Sequence, residues 1–209
     1  MNADDLAGSY DAVAAEYTRR IAGELEQKPF DRALLERFAA AIRKDGTVAD
    51  VGCGPGHVAR YLQDRGVRVC GVDVSLGMVE SARALNPGIE FRRADMRALP
   101  MPDDSLAGIV AFYSIIHIPP DEMVSALREL GRVLEPGAPL LLAFHIGEET
   151  VHLDEWWEKK VSVDFFFFRT EQMQQWLEAA GFTVDEVLER DPYDESVEHQ
   201  SRRCYILAR

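Results

Sequence analysis

Long apolar runs, paired cysteines and a surplus of basic residues are all missing from this 209-residue sequence. No apolar run approaches the roughly 20 residues that a membrane-spanning helix requires, so no membrane association is expected. The opening Met-Asn-Ala-Asp-Asp-Leu has neither the basic stretch nor the apolar stretch of a secretion signal. The three cysteines, Cys53, Cys70 and Cys204, are scattered and form neither a disulfide framework nor a zinc spacing. These absences together predict a cytoplasmic protein. His57 stands alone, and Glu148, Glu149 and His152 make no recognisable ligand set, so no metal is expected. Lys and Arg number 23 against 36 Asp and Glu, a formal net charge of −13. Such a surface repels phosphate backbones, which argues against a nucleic-acid partner or substrate. Internal repeats, low-complexity tracts and linkers are also absent, so one α/β domain is expected over residues 1–209.

What is present centres on Val48–Asp73. Val48 to Val51 is short and apolar, as in a strand buried on both faces. Gly52, Gly54 and Gly56 follow; without Cβ atoms, the turn bends sharply and lets a ligand approach the backbone. Val58, Tyr61, Leu62 and Arg65 then recur at helical spacing, and Gly66 is placed to stop the helix. The start of that helix directs free N–H groups and positive dipole over the turn. A second strand ends at Asp73, 21 positions after Gly52, about where a βαβ nucleotide site sets an acid against ribose hydroxyls. A dinucleotide turn wants its third glycine one residue later than Gly56, where this chain has His57. That spacing disfavours an NAD-type oxidoreductase.

The string Asp50-Val-Gly-Cys-Gly-Pro-Gly56 resembles motif I of the class I S-adenosylmethionine (SAM)-dependent methyltransferases, and Gly71-Val-Asp73-Val-Ser75 resembles their second strand. The likeness continues through Arg93-Ala-Asp-Met96, Ser105 to Tyr113, and Leu130 to Gly137 followed by an apolar strand. It implies a Rossmann-like fold: a seven-stranded, mostly parallel sheet with an antiparallel closing strand and helices on both faces. It also implies SAM as cofactor, with S-adenosylhomocysteine (SAH) as product, and a SAM-binding core over 45–145. On that resemblance Asp50, Gly52, Cys53, Gly54 and Gly56 would bind the cofactor at the turn. Asp73 would hold the ribose, Ala94, Asp95 and Met96 would face the adenine, and Tyr17, Val74, Met78 and Phe112 would complete the cofactor site. Asp95 also reads as a turn or helix cap.

The flanking segments are expected to form the rest of the pocket. Residues 1–44 read as two helices, the first with Tyr10, Val13, Ala14, Tyr17 and Ile21 on one face. In the resembled family such helices often fold over the ligands, so Tyr10 and Tyr17 either close a lid or pack in the core. Lys28 reads as solvated, or as reaching a cofactor carboxylate. Residues 146–169 break the α/β rhythm with Trp156-Trp157 and Phe165 to Phe168. This insertion reads as a cap whose Trp156, Trp157 and Phe166, with Tyr10, give an apolar substrate wall. A buried edge or an oligomer contact is the other reading. Residues 170–209 read as a helix capped by Thr170 and a closing strand pair joined by a polar loop.

The chemistry implied is displacement of a sulfonium methyl by a nucleophile on a small molecule, with alignment of the reactants as the main task. His117 and His145 end the fourth and fifth strands at the ligand-binding edge and titrate near neutrality, so each is a candidate base; Tyr113 is placed to shape the methyl pocket. A non-catalytic SAM-binding regulator or partner subunit is the alternative. The acceptor atom, and the choice between monomer and homodimer, stay open.

Overall fold

A computed structural model describes residues 3–209. Seven strands form one sheet in the order β3-β2-β1-β4-β5-β9-β8: β1 Thr47–Val51, β2 Arg68–Asp73, β3 Glu90–Arg93, β4 Gly108–Phe112, β5 Leu140–His145, β8 Val184–Arg190 and β9 Arg203–Ala208. Strands β3 to β5 run parallel, and β9 enters antiparallel between β5 and β8. The remaining strands, β6 Thr150–Trp156 and β7 Lys159–Phe166, pair with each other as a separate hairpin.

The period of two along each strand explains the layers. Ala49, Val51, Ile109, Ala111, Leu140 and Leu142 point to one face. There they pack against α5 (Met123–Val133) and α6 (Thr170–Ala180). Their neighbours Val48, Val110 and Leu141 point to the other face, against α2 (Pro29–Ala41), α3 (His57–Gln63) and α4 (Leu76–Leu85). With both faces covered, the central strands are apolar almost throughout, as parallel strands require.

The first helix, α1 (Ala3–Ile21), belongs to neither layer. It lies over the carboxyl edge of the sheet and packs on the hairpin through Val13, Val161 and Val163. Ser9 ties the two: its hydroxyl donates to the Ser162 carbonyl at 3.2 Å and accepts the Ser162 N–H at 2.9 Å. The insertion expected as a cap is therefore this hairpin, and α1 and the hairpin together roof the sheet edge. One local expectation fails. Arg169, not Thr170, occupies the cap of α6, and the Thr170 hydroxyl instead donates to Glu189 on β8 at 2.5 Å. No described helix is long and apolar enough to cross a membrane.

Candidate active site

The glycine turn is built by the strands around it. The N–H groups of Gly52 and Cys53 both donate to the Val72 carbonyl, at 2.8 and 3.0 Å, which folds the chain back over β2. Gly52, Gly54 and Gly56 have φ of 72°, 50° and 79°. The three have different reasons to lack a side chain. A Cβ on Gly52 would collide with Ser114, and one on Gly56 would come within 2.7 Å of the Phe91 ring. At Gly54 a Cβ would meet only Tyr17, at 3.7 Å, so the space above it is open. Gly56 therefore serves packing and does not line the cavity. Asp50 also lies behind the turn: its carboxylate accepts the Ala59 N–H at 3.0 Å, anchoring the first turn of α3, and burial pushes its pKa up to about 7. Both residues differ here from the sequence expectation that they touch the cofactor.

One cavity of about 310 Å³ opens over this turn. Gly52, Cys53 and Gly54 line it, as do Asp73, Val74 and Met78. The Asp73 carboxylate accepts N–H groups from Gly54 at 2.8 Å and Ser75 at 2.9 Å. These donors do not offset its burial, which raises its pKa to about 6. The Ser75 hydroxyl caps α4 by accepting the Met78 N–H at 3.1 Å, so strand, acid and helix are fixed together. Ala94, Asp95 and Met96 form the next stretch of wall. Asp95 holds the Arg97 guanidinium through three contacts of 3.1, 3.1 and 2.7 Å and accepts its backbone N–H at 2.9 Å. It is thus both a turn cap and a cavity residue.

Phe112 and Tyr113 carry the wall across β4. Tyr113 has φ of 54°, an uncommon left-handed conformation for a tyrosine, held by its N–H on Ala143 at 2.8 Å and its hydroxyl on Tyr205 at 2.9 Å. His117 follows on a 3-10 turn, Ile115–His117. Its Nδ1 sits 2.8 Å from the Asp164 carbonyl, which can only accept, so Nδ1 carries the proton. Nε2 then accepts from the Tyr10 hydroxyl at 2.8 Å. Burial lowers the His117 pKa to about 4, which keeps the ring neutral and Nε2 free to accept. Tyr10, Tyr17, Trp156 and Phe165 close the roof, with Tyr10, Tyr17 and Trp156 ring centroids mutually 5.6 to 5.7 Å apart. Alternation along β7 turns Phe165, not Phe166, to the cavity. Trp157 sits outside the lining, in the hairpin turn at φ 51°, with Arg20 over its ring.

The far end holds Lys28, which the sequence left between solvent and a cofactor carboxylate, with Glu24, Glu198, His199 and Arg203, which the sequence reading did not single out. Lys28 is only 5% exposed, and its ammonium is 2.6 Å from Glu24, so it is not solvated. Glu24 also takes the His57 Nε2 at 3.0 Å, and both line the cavity. Glu198 and His199 arrive from the loop between β8 and β9, and Arg203 from the start of β9, opposite His145. No periodicity marks that loop; the one signal was its place at the sheet edge. No group of His, Cys, Asp and Glu among the described residues could hold a metal ion.

Residues 48–137 match the family profile described as a methyltransferase domain. Over 152 residues the chain is 28% identical to malonyl-[acyl-carrier protein] O-methyltransferase of Enterobacter lignolyticus, covering 73% of this chain and 58% of that protein. It is 29% identical over 142 residues to demethylmenaquinone methyltransferase of Renibacterium salmoninarum, covering 67% of this chain and 58% of that protein. The chain thus spans little more than half the length of these curated relatives. Among solved structures, the DhpI–SAH complex superposes with a TM-score of 0.76 at 22% identity, covering 99% of this chain and 96% of that one. The sheet order, the turn after β1 with the acid ending β2, and the matched profile agree: residues 48–137 form a methyltransferase domain, similar to those of the SAM-dependent methyltransferases.

Proposed function

We propose that this protein binds SAM and methylates a small molecule held under the α1–hairpin roof. The observation that carries the reading is the continuity of one cavity, from the glycine turn and Asp73 at one end to the Tyr10–His117 pair at the other. The residues fit a nucleoside cofactor. Asp73 is a buried, cavity-lining carboxylate whose pKa burial has raised, so it gains from further donors such as a ribose diol. Gly54 offers open backbone beside it. When bound, SAM supplies an electrophilic methyl on a sulfonium.

The chain's own residues do the rest. Met78, Ala94 and Met96 give the adenine an apolar slot beside Asp95. The aromatic faces of Tyr10, Tyr17 and Trp156 favour a cation and exclude water. His117, neutral and with its tautomer fixed, is the proton acceptor. Tyr10 passes its own hydroxyl proton to Nε2 as it takes one from the methyl acceptor. His145 is not a base, because Arg203, which can only donate, is 2.7 Å from its Nδ1. The relatives named above are a malonyl-[acyl-carrier protein] O-methyltransferase and a demethylmenaquinone methyltransferase. A small acceptor with an exchangeable proton is the corresponding reading for this chain.

Calorimetric titration with SAM, SAH and NAD side by side tests the cofactor half. Binding of the first two and not of NAD supports it; binding of NAD alone removes it. A screen of acids, phenols and amines for SAH release tests the transfer half. SAM binding with no turnover on any acceptor would leave a cofactor-binding module in place of an enzyme.

A further inference from the structure

The cavity changes character across the sheet. The half over β1, β2 and β3 carries the glycine turn, Asp73 and Asp95. The other half lies where β4 and β5 end and β9 begins. Neighbouring strands stand about 4.8 Å apart, so Arg203 on β9 is roughly 14 Å, or three strand spacings, from the turn after β1. Two cations are buried here: Arg203 in this far corner, and Lys28 between it and the turn, since its partner Glu24 also holds His57 at the head of α3. Arg203 is 2% exposed and Lys28 5%, and buried cations are costly unless neutralised.

They are not equally neutralised. Lys28 has Glu24 at 2.6 Å. Arg190, behind the corner, has Asp31 at 3.2 Å and Glu198 at 2.5 Å. Arg203 has no carboxylate of its own. Its nearest, Glu198 Oε2, is 3.5 Å away and is shared with Arg190 at 3.1 Å and Lys28 at 3.7 Å. The other partners of Arg203 are neutral: the Ser201 and His199 carbonyls at 2.8 Å each, the Ser201 hydroxyl, and His145 Nδ1 at 2.7 Å. Its Nε–H is buried and has no acceptor among the described residues. Because a guanidinium only donates, His145 must accept at Nδ1 and carry its proton at Nε2. His145 therefore adds an N–H to the corner. Burial first, then the positive charges of Arg203 and Lys28, hold its pKa down to about 2. The Tyr113 ring lies between the two cations, 5.6 Å from Lys28 Nζ and 5.4 Å from the Arg203 guanidinium carbon.

We propose that this corner is an anion subsite, and that the methyl acceptor carries a carboxylate which docks against Arg203 and His145 with Lys28 beside it. The inference rests on the reading of the chain as a SAM-dependent methyltransferase. The same chemistry has a second source, the α-carboxylate of the cofactor itself. The position of Arg203 beyond β4, on the far side from the glycine turn, favours the acceptor.

The test is calorimetric titration of the SAH-loaded protein with malonate, against chloride at equal ionic strength. Millimolar malonate binding is expected, weakened at least tenfold by Arg203→Gln, with SAH affinity within twofold of wild type. Absence of malonate binding to the wild-type SAH complex overturns the proposal. Decarboxylated SAH separates the two sources. If Arg203→Gln and loss of the cofactor carboxylate weaken binding by the same factor, and together by no more, the corner holds the cofactor and the proposal fails. If SAH does not bind at all, the methyltransferase reading falls first and the subsite with it; that result is seen before malonate is added. Should Arg203→Gln not fold, ¹⁵N-histidine spectra of the wild-type SAH complex decide. At pH 7 malonate should shift the His145 ring nitrogen resonances, and unmoved resonances at saturating malonate overturn the proposal.

Discussion

Tyr10 and His117 come from opposite sides of the cavity, and the tyrosine hydroxyl donates to Nε2 across 2.8 Å. The other ring nitrogen is spent on the Asp164 carbonyl of the hairpin, so this one contact couples α1, the 3-10 turn after β4 and β7.

If the pair moves a proton, His117→Ala should lower kcat by about a hundredfold or more while leaving the dissociation constant of SAH near wild type. Tyr10→Phe should lower kcat in the same direction, since His117 would then face the acceptor with no hydroxyl between them. Steady-state kinetics beside SAH titration would check both, and unchanged kcat in both variants would reduce the pair to a packing contact.

Asp73→Ala should cost roughly 1.5–3 kcal/mol of cofactor affinity, the usual scale for charge-assisted hydrogen bonds. The wild-type protein should also show pH dependence with a definite sign. The free carboxyl titrates near 6, and only its ionised form accepts fully from a diol. Affinity should therefore be flat above pH 7 and fall as pH drops through 6, by about tenfold from pH 7.5 to 5. Calorimetry across that range reads the effect, and a flat profile in Asp73→Asn would assign the inflection to this residue.

Two glycines of one turn should fail in different ways. Gly52→Ala puts a Cβ into Ser114 at φ 72° and should lower the melting temperature. Gly54→Ala has room for its Cβ, so its stability loss should be about 1 kcal/mol, with the larger effect on SAM binding. Thermal denaturation with and without SAM separates them; equal destabilisation with unchanged affinity for Gly54→Ala would move the cofactor off the turn.

Trp156 and Trp157 are adjacent, yet only Trp156 lines the cavity. Trp156→Ala should weaken SAM relative to the uncharged SAH by about 0.5–2 kcal/mol, the range of a cation–π contact. Trp157→Ala should leave that ratio alone. Parallel titrations of the two ligands give the ratio directly.

How much of this was legible in the sequence depends on whether the signal was local. The βαβ unit from Val48 to Asp73 could be read because glycine, apolar period and carboxylate all lie within one short span. Ser75 at the head of α4 was legible for the same reason, since a cap needs only the residue and the helix it precedes. The roof was harder. The aromatic run Phe165 to Phe168 announces burial but not direction, and a one-residue difference in strand phase decided between Phe165 and Phe166. Arg203 was out of reach because no local pattern marks it as buried or cavity-facing, and Lys28 stood open between solvent and a ligand because a lysine before a helix start fits either; its burial beside Glu24 appears only in the fold. Asp50 misled because a carboxylate before a glycine turn has two possible tasks, and here it anchors a helix.

The hairpin that roofs the cavity bonds to itself and not to the seven-stranded sheet. Nothing in the register of the main sheet depends on its length or its aromatics. On the reading proposed above, the cofactor would lie on a floor whose ladder owes nothing to the roof, and the roof meets the site at contacts such as His117 on the Asp164 carbonyl.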